Sequence, residues 1–256
     1  MRGFEVVFQR SFARLVKARR TVRSPFLNKR VLKRDLKFIL EAARWAPSGH
    51  NAQPWRFVIV EDRGVKREIG ESTKRVYEEL LSDEEKLKAT FGSYGKWFHQ
   101  DPSRMDGIYT EKPTIYSKGG FTTSDLEDLK IRAEEYCRLV SEAPALLITL
   151  LDRERSPPNM SKGLISLISV GAALQNIRLA ARTIGVGCQD MARPIDTVEG
   201  EKRLKEILGI PERFKVVSVM RLGYVKPGAQ HPYKSNFRMP LKHLTQFNSF
   251  QLKGEG

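Results

Sequence analysis

The chain has 256 residues, 40% of them hydrophobic and 9% aromatic, enough to bury one sizeable core and too apolar for a disordered chain. Lys+Arg 45 against Asp+Glu 30 leaves a formal charge of +15, a field that attracts anions and suits nucleic acid, a phosphorylated small molecule or a charge-rich surface of the heat-adapted kind. The 2 cysteines, Cys137 and Cys188, make neither a disulfide framework nor a zinc site.

The first residues, Met1 to Arg20, lack the uninterrupted apolar stretch and small-residue cleavage site of a secretory signal, so a cytoplasmic protein is expected. Leu36, Ile39, Leu40 and Ala43 recur at helical spacing and predict a helix over Asp35 to Ala46. Pro47 stops it, because proline disfavours the α conformation of the residue before it. Trp55 to Val60 (WRFVIV) predicts a strand, and Val65, Ile69, Val76 and Leu80 predict a helix reaching Leu81.

Between Phe91 and Thr123 the periodicity disappears, and the segment holds five glycines, two prolines and aromatics such as Tyr94, Trp97, Phe98, Tyr109 and Tyr116. An irregular segment of this length reads as a lid-like insertion over a substrate. Ser124 and Glu127 have the spacing of a capping box and open a helix marked by Leu126, Leu129, Ala133, Tyr136 and Val140. Ala145 to Leu151 (ALLITLL) is apolar on both faces and predicts a buried strand.

Gly163 to Ile184 is the most apolar helix, ended by Gly185. Ser166, Ser169, Gln175, Asn176 and Arg178 interrupt it, which favours a central core helix over a membrane span. Glu199 to Leu208 predicts a short helix closed by Gly209 and Pro211, and Lys215 to Gly223 the last strand. Few strands and long helices make an α+β fold. The expected organisation is a single domain over 1–256 with an irregular insertion at about 91–123.

Common catalytic motifs are missing. The 4 histidines, His50, His99, His231 and His243, are scattered without an HExxH pair, so no metal is expected. There is no GxSxG elbow and no GxxxxGK[ST] phosphate loop. The Gly185-Val-Gly187 pair follows a helix instead of opening one, which removes the context of a dinucleotide-binding turn.

Three segments carry chemistry together. In Ala18-Arg19-Arg20-Thr21-Val22-Arg23, alternate positions Arg19, Thr21 and Arg23 share one face of an extended backbone and can grip an anion with its polar tail. In Ala46-Pro47-Ser48-Gly49-His50-Asn51-Ala52-Gln53-Pro54-Trp55, small and amide residues between a helix and a strand offer donors and acceptors to a planar heterocycle. In Gly171 to Gly187, small residues on an apolar helix run into a glycine turn that can present a backbone N–H to a ligand. Singly, each also suits an ordinary role: a solvated basic strand, a turn, and core packing.

Taken jointly, ARRTVR, APSGHNAQPWRFVIV, SEAPALLITL, SVGAALQNIRLAARTIGVG and ILGIPERFKVVSVMRLGY resemble the FMN-dependent nitroreductase family from about Val16 to about Pro240. The resemblance implies a mixed sheet flanked by long helices in an intertwined homodimer, with FMN at the subunit interface. It places Arg19, Arg20 and Thr21 on the FMN phosphate and ribityl chain and Arg23 toward the pyrimidine edge. Pro47, Ser48, Gly49, Asn51 and Gln53 of the partner chain line the ring, the backbone near Gly187 and Cys188 faces flavin N5, and Arg238 reaches the phosphate.

The implied activity is two-electron, ping-pong reduction of a nitroaromatic, quinone or related acceptor by NADH or NADPH, with no dedicated catalytic side chain. The long insertion is closer to lidded members resembling iodotyrosine deiodinases, which makes a dehalogenase the rival enzyme. A non-catalytic FMN-binding protein and a basic nucleic-acid-binding protein are the rivals outside it.

Overall fold

The computed structural model describes residues 2–23, 25–83, 123–155, 163–226 and 241–248. The insertion at about 91–123, apart from Thr123, and Arg238 lie outside them. The chain divides into two units, one of 1–79 with 130–231 and one of 80–129 with 232–256. The sheet and the candidate site belong to the first.

Strands β1 (Trp55–Val60), β2 (Ala145–Asp152), β3 (Val186–Asp190) and β4 (Phe214–Tyr224) form one sheet in the order β1-β2-β4-β3, antiparallel at each pairing. Among the described residues the parallel component of the expected mixed sheet is the single bridge between Thr21 and Cys188, on the outer side of β3. The central strand β2 is buried at every residue, which is why its sequence shows no alternation of apolar and polar residues.

Successive strand side chains point to opposite faces. Leu147 and Leu151 enter one core, closed by α2 (Lys33–Arg44) through Leu36, Ile39 and Ala43 and by α5 (Leu164–Thr183) through Val170, Ala173 and Ile177. Leu146, Ile148 and Leu150 enter the other, where Ile69 of α3 (Arg63–Leu81), Val140 of α4 (Thr123–Ser141) and Leu204 of α6 (Val198–Leu208) meet them. Each such fully buried aliphatic side chain contributes about 1.5–3 kcal/mol relative to exposure. The fold is therefore α+β, with one helical layer on each face of the sheet.

Local chemistry sets the ends of these elements. Thr197 accepts a hydrogen bond from the Gly200 N–H at 3.0 Å and caps α6, and Gly209 closes it with a left-handed φ of 62°. Gly185, at φ 73°, turns the chain from α5 into β3. In β4, Val216 pairs with Leu150 and Ser218 with Thr149, so Val217 is the extra residue of a bulge. The bulge restores the alternation that sends Val219 to the second core and Met220 to the first.

Two elements escape the sequence reading. Helix α1 (Arg2–Ala18) carries Val7, Phe8 and Phe12 exposed, so its apolar residues do not announce a face packed on this chain's core. Gly187 and Cys188, expected in a glycine turn, stand in the edge strand β3. The turn itself is at Gly185, and a five-residue strand containing glycine has little propensity signal to find.

Candidate functional site

Residues 19–23 and 25–27 follow α1 as a strap along the edge of the sheet. Val22 donates its N–H to the Cys188 carbonyl at 2.9 Å, and Leu27 donates to the Tyr224 carbonyl at 2.9 Å. The first and third predicted segments are thus hydrogen-bonded together. Gly187 is required for that approach: a Cβ would stand 2.7 Å from Val225, 2.8 Å from Val22 and 2.9 Å from Phe26. Gly223 serves the same contact, since its Cβ would fall 2.4 Å from the Phe26 ring.

Arg221, almost wholly buried, clamps the strap. It donates Nε to Gln189 Oε1 at 2.6 Å and Nη2 to the Val22 carbonyl at 3.2 Å, with its guanidinium 4.5 Å from the Phe26 ring centroid. Burial lowers its pKa to about 10, so it remains charged at neutral pH. Sequence reasoning missed Arg221, Gln189 and Phe26. The available signal was Gly223 inside an apolar strand, a mark of close backbone approach.

Arg19 is half-buried and Arg23 exposed on the outer edge. Arg20 turns away, donating Nη1 to the carbonyls of Lys17 at 2.6 Å and Arg19 at 3.0 Å, and so caps the C-terminal end of α1. On β3, Asp190 accepts from Arg178 at 3.0 Å and from the Ser218 hydroxyl at 2.9 Å. Burial, with Asp190 adding to it, pushes the Cys188 thiol up to about 12, against the opposing charges of Arg178 and Arg19.

Cys188 is therefore a neutral packing group at pH 8, expected to resist iodoacetamide in the folded protein and to react on unfolding; rapid native alkylation would contradict this. Its ordinary value is 9.0, so the neutral thiol supports folding fully below that pH. The contribution falls as pH rises from 9.0 toward about 12.

The second segment, Pro47 to Gln53, is a tight loop between α2 and β1. His50, Asn51 and Gln53 have left-handed φ values of 52°, 52° and 46°, an unusual run for residues with side chains. Internal hydrogen bonds hold it: the Gln53 N–H donates to Ser48 Oγ at 3.0 Å, and Gln53 Nε2 donates to Asn51 Oδ1 at 3.0 Å. A Cβ on Gly49 would stand 2.7 Å from Ile165 Cγ2, so the loop is seated on the first turn of α5. Concentrated backbone strain in a loop held by its neighbours is a mark of a ligand-binding segment.

The loop and the strap sit at opposite corners of the sheet. Helix α5 has Ile165 against the loop at its start and runs out through Gly185 into β3, a span from 165 to 183 of about 27 Å at 1.5 Å per residue. The strands agree: β1 and β3 are the two edges, about 14 Å apart at the usual strand spacing. Trp55 aligns with Leu151 and Cys188 with the level of Ala145, offset by about 20 Å along β2. Within one chain the two groups of predicted residues therefore lie apart, at separate corners of the sheet.

The donor types fit FMN in complementary halves. The strap offers guanidinium groups and a hydroxyl suited to a phosphate and a polyol, and the loop offers small residues and amides suited to the edge and face of a heteroaromatic ring.

The fold and the sequence together define a class. The family profile described as "Nitroreductase family" matches residues 16–224, and the chain belongs to that family. A 4-nitrobenzoate reductase of Nocardioides sp. (strain LMS-CY) is 29% identical over 247 residues, covering 92% of this chain and 89% of that protein. An iodotyrosine deiodinase of Thermotoga neapolitana is 37% identical over 109 residues, 41% of this chain and 58% of that protein. In fold, the chain is similar to the crystal structure of an oxidized iodotyrosine deiodinase bound to FMN and 3-iodo-L-tyrosine, with TM-score 0.58, 23% identity and coverage of 92% and 98% of the two chains.

Proposed function

We propose that the protein is an FMN-dependent oxidoreductase, working as a homodimer in the cytoplasm, that reduces nitroaromatic, quinone or related acceptors. The observation that carries this reading is the separation of the strap from the loop by about 27 Å along α5. Two copies related by a two-fold axis bring the strap of one against the loop of the other, twice per dimer.

The exposed face of α5 supports such an axis. Leu164, Leu167 and Ile168 are exposed there, and a Cβ on Gly171 would meet nothing within 4 Å in its own chain. An apolar, partly smooth helix face of this kind is suited to close helix contact with a second copy.

In this arrangement Arg19 and Thr21 hold the phosphate and ribityl oxygens, and Arg23 sets positive charge at the pyrimidine edge, where it stabilises negative charge that develops there. Ser48, Gly49 and Asn51 of the partner chain line the ring, and the strained loop keeps them preorganised. The β3 backbone around Gly187 and Cys188 would border the ring. FMN, when bound, supplies the two-electron exchange with NADH or NADPH and then with the acceptor in a ping-pong scheme. The residues above bind, orient and polarise.

A dehalogenase of the iodotyrosine deiodinase type is the second reading, favoured by the 37% identity over 109 residues to a protein of that name. The test is the visible spectrum of purified protein, followed anaerobically with NADH, NADPH and then the acceptors. Yellow protein that bleaches with a nicotinamide and recovers with a nitroaromatic or quinone supports the first reading. Turnover confined to halotyrosines supports the second, and colourless protein that takes up no added FMN overturns both.

A further inference from the structure

The other face of the sheet carries a cleft that is bordered by the end of the strap and by Arg221 but not by Arg19, Thr21 or Arg23. Arg221 pairs across β3 and β4 with Gln189, so its side chain lies on the face opposite Cys188, toward α3 and α4. The cleft has a volume of about 1240 Å³ and is walled by residues 25–30, the start of α3 and the residues ending α4. Its described lining holds seven cationic side chains and three carboxylates.

Each carboxylate is already engaged. Glu61 accepts both arms of Arg30, at 2.7 and 2.9 Å. Asp62 caps α3 by accepting from the Val65 N–H at 2.9 Å, and Glu142 lies 3.7 Å from Arg138. The cation at the floor is Lys66, which is 5% exposed. Its ammonium donates to two neutral acceptors, the carbonyls of Ala143 at 2.5 Å and Pro144 at 3.4 Å. Burial lowers its pKa, with Arg63 acting in the same direction.

A nearly sealed ammonium held by carbonyl dipoles is costly to fold, and its field is concentrated by the low-dielectric walls. Arg63 and Arg67, one turn apart on α3, stand exposed at the rim above it. We propose that this cleft is a binding site for a di- or triphosphate group, with Arg63 and Arg67 gripping the phosphates and Lys66 supplying the potential at the floor. The opening is large enough for a nucleotide as well as for inorganic pyrophosphate. Its concave shape distinguishes it from the stripe that tracks a nucleic-acid backbone.

The test titrates FMN-saturated protein with inorganic pyrophosphate and, separately, with ADP by calorimetry, comparing wild type with Arg63→Glu/Arg67→Glu. Saturating FMN keeps either probe off the strap, and the exposed double variant leaves the core intact. At least tenfold weaker binding in the variant, with unchanged basal turnover, supports the site. Sensitivity with both probes identifies a site for free pyrophosphate, and sensitivity with ADP alone identifies a nucleotide site. Binding of neither probe, equal binding by both proteins, or variant-sensitive binding of only a single-stranded oligonucleotide overturns it.

Discussion

Replacing Arg19 and Arg23 together by alanine is expected to leave a folded protein whose affinity for FMN has fallen by a factor of about 10² or more. The two side chains are half-buried and exposed on the strap and take no part in either core. Each hydrogen bond to a charged partner contributes about 1.5–3 kcal/mol, so losing two removes about 3–6 kcal/mol, or two to four decades of affinity. Fluorescence titration of apoprotein with FMN measures it, with thermal unfolding as the control for folding. Arg23→Ala alone is expected to weaken FMN and slow its reduction by NADH or NADPH, because positive charge is lost where negative charge develops. Unchanged occupancy and unchanged rate in these variants would contradict the assignment of the strap.

Gly187→Val is expected to have the second large effect, through packing instead of charge. The first added carbon meets Val225, Val22 and Phe26 at 2.7–2.9 Å, and all three belong to the strap or to the turn out of β4. Overpacking of this kind costs about 1–3 kcal/mol, a fall of roughly 2–10 °C in Tm for a chain of this size. The strap must move off the edge strand to relieve it, carrying Arg19, Thr21 and Arg23 with it. The expected result is a lower Tm together with at least tenfold weaker FMN binding. A variant that loses stability but keeps FMN affinity would separate the strap from the site and count against it.

Much of this was legible in the sequence because local signals agreed with the fold. Strand β1 coincides with WRFVIV, and α5 fills the apolar stretch between Gly163 and Gly185, each glycine with a positive φ. The three segments proposed for the site stand out in the sequence only when taken together, since each singly suits an ordinary role. The edge strand β3 was not legible, because its stability comes from pairing with β4 and the strap, a long-range property that VGCQD does not display. Arg221 was hidden for a related reason: only the folded sheet shows that an arginine in β4 reaches Val22, far back in the sequence. That the strap and the loop stand at opposite corners is likewise a property of strand order and helix length, invisible until both are known.

A flavin site built from the strap of one chain and the loop of another can be tested by mixing two disabled chains. One carries Arg19→Ala/Arg23→Ala, and the other carries Gly49→Val, which drives the loop off Ile165. Each variant alone forms dimers with two defective sites. Co-expressed with different tags and purified as the heterodimer, the pair has one site with both halves damaged and one with both intact. The expected result is close to one FMN per heterodimer and about half of the wild-type turnover. A heterodimer as empty and inactive as its parents would show that each site lies within a single chain.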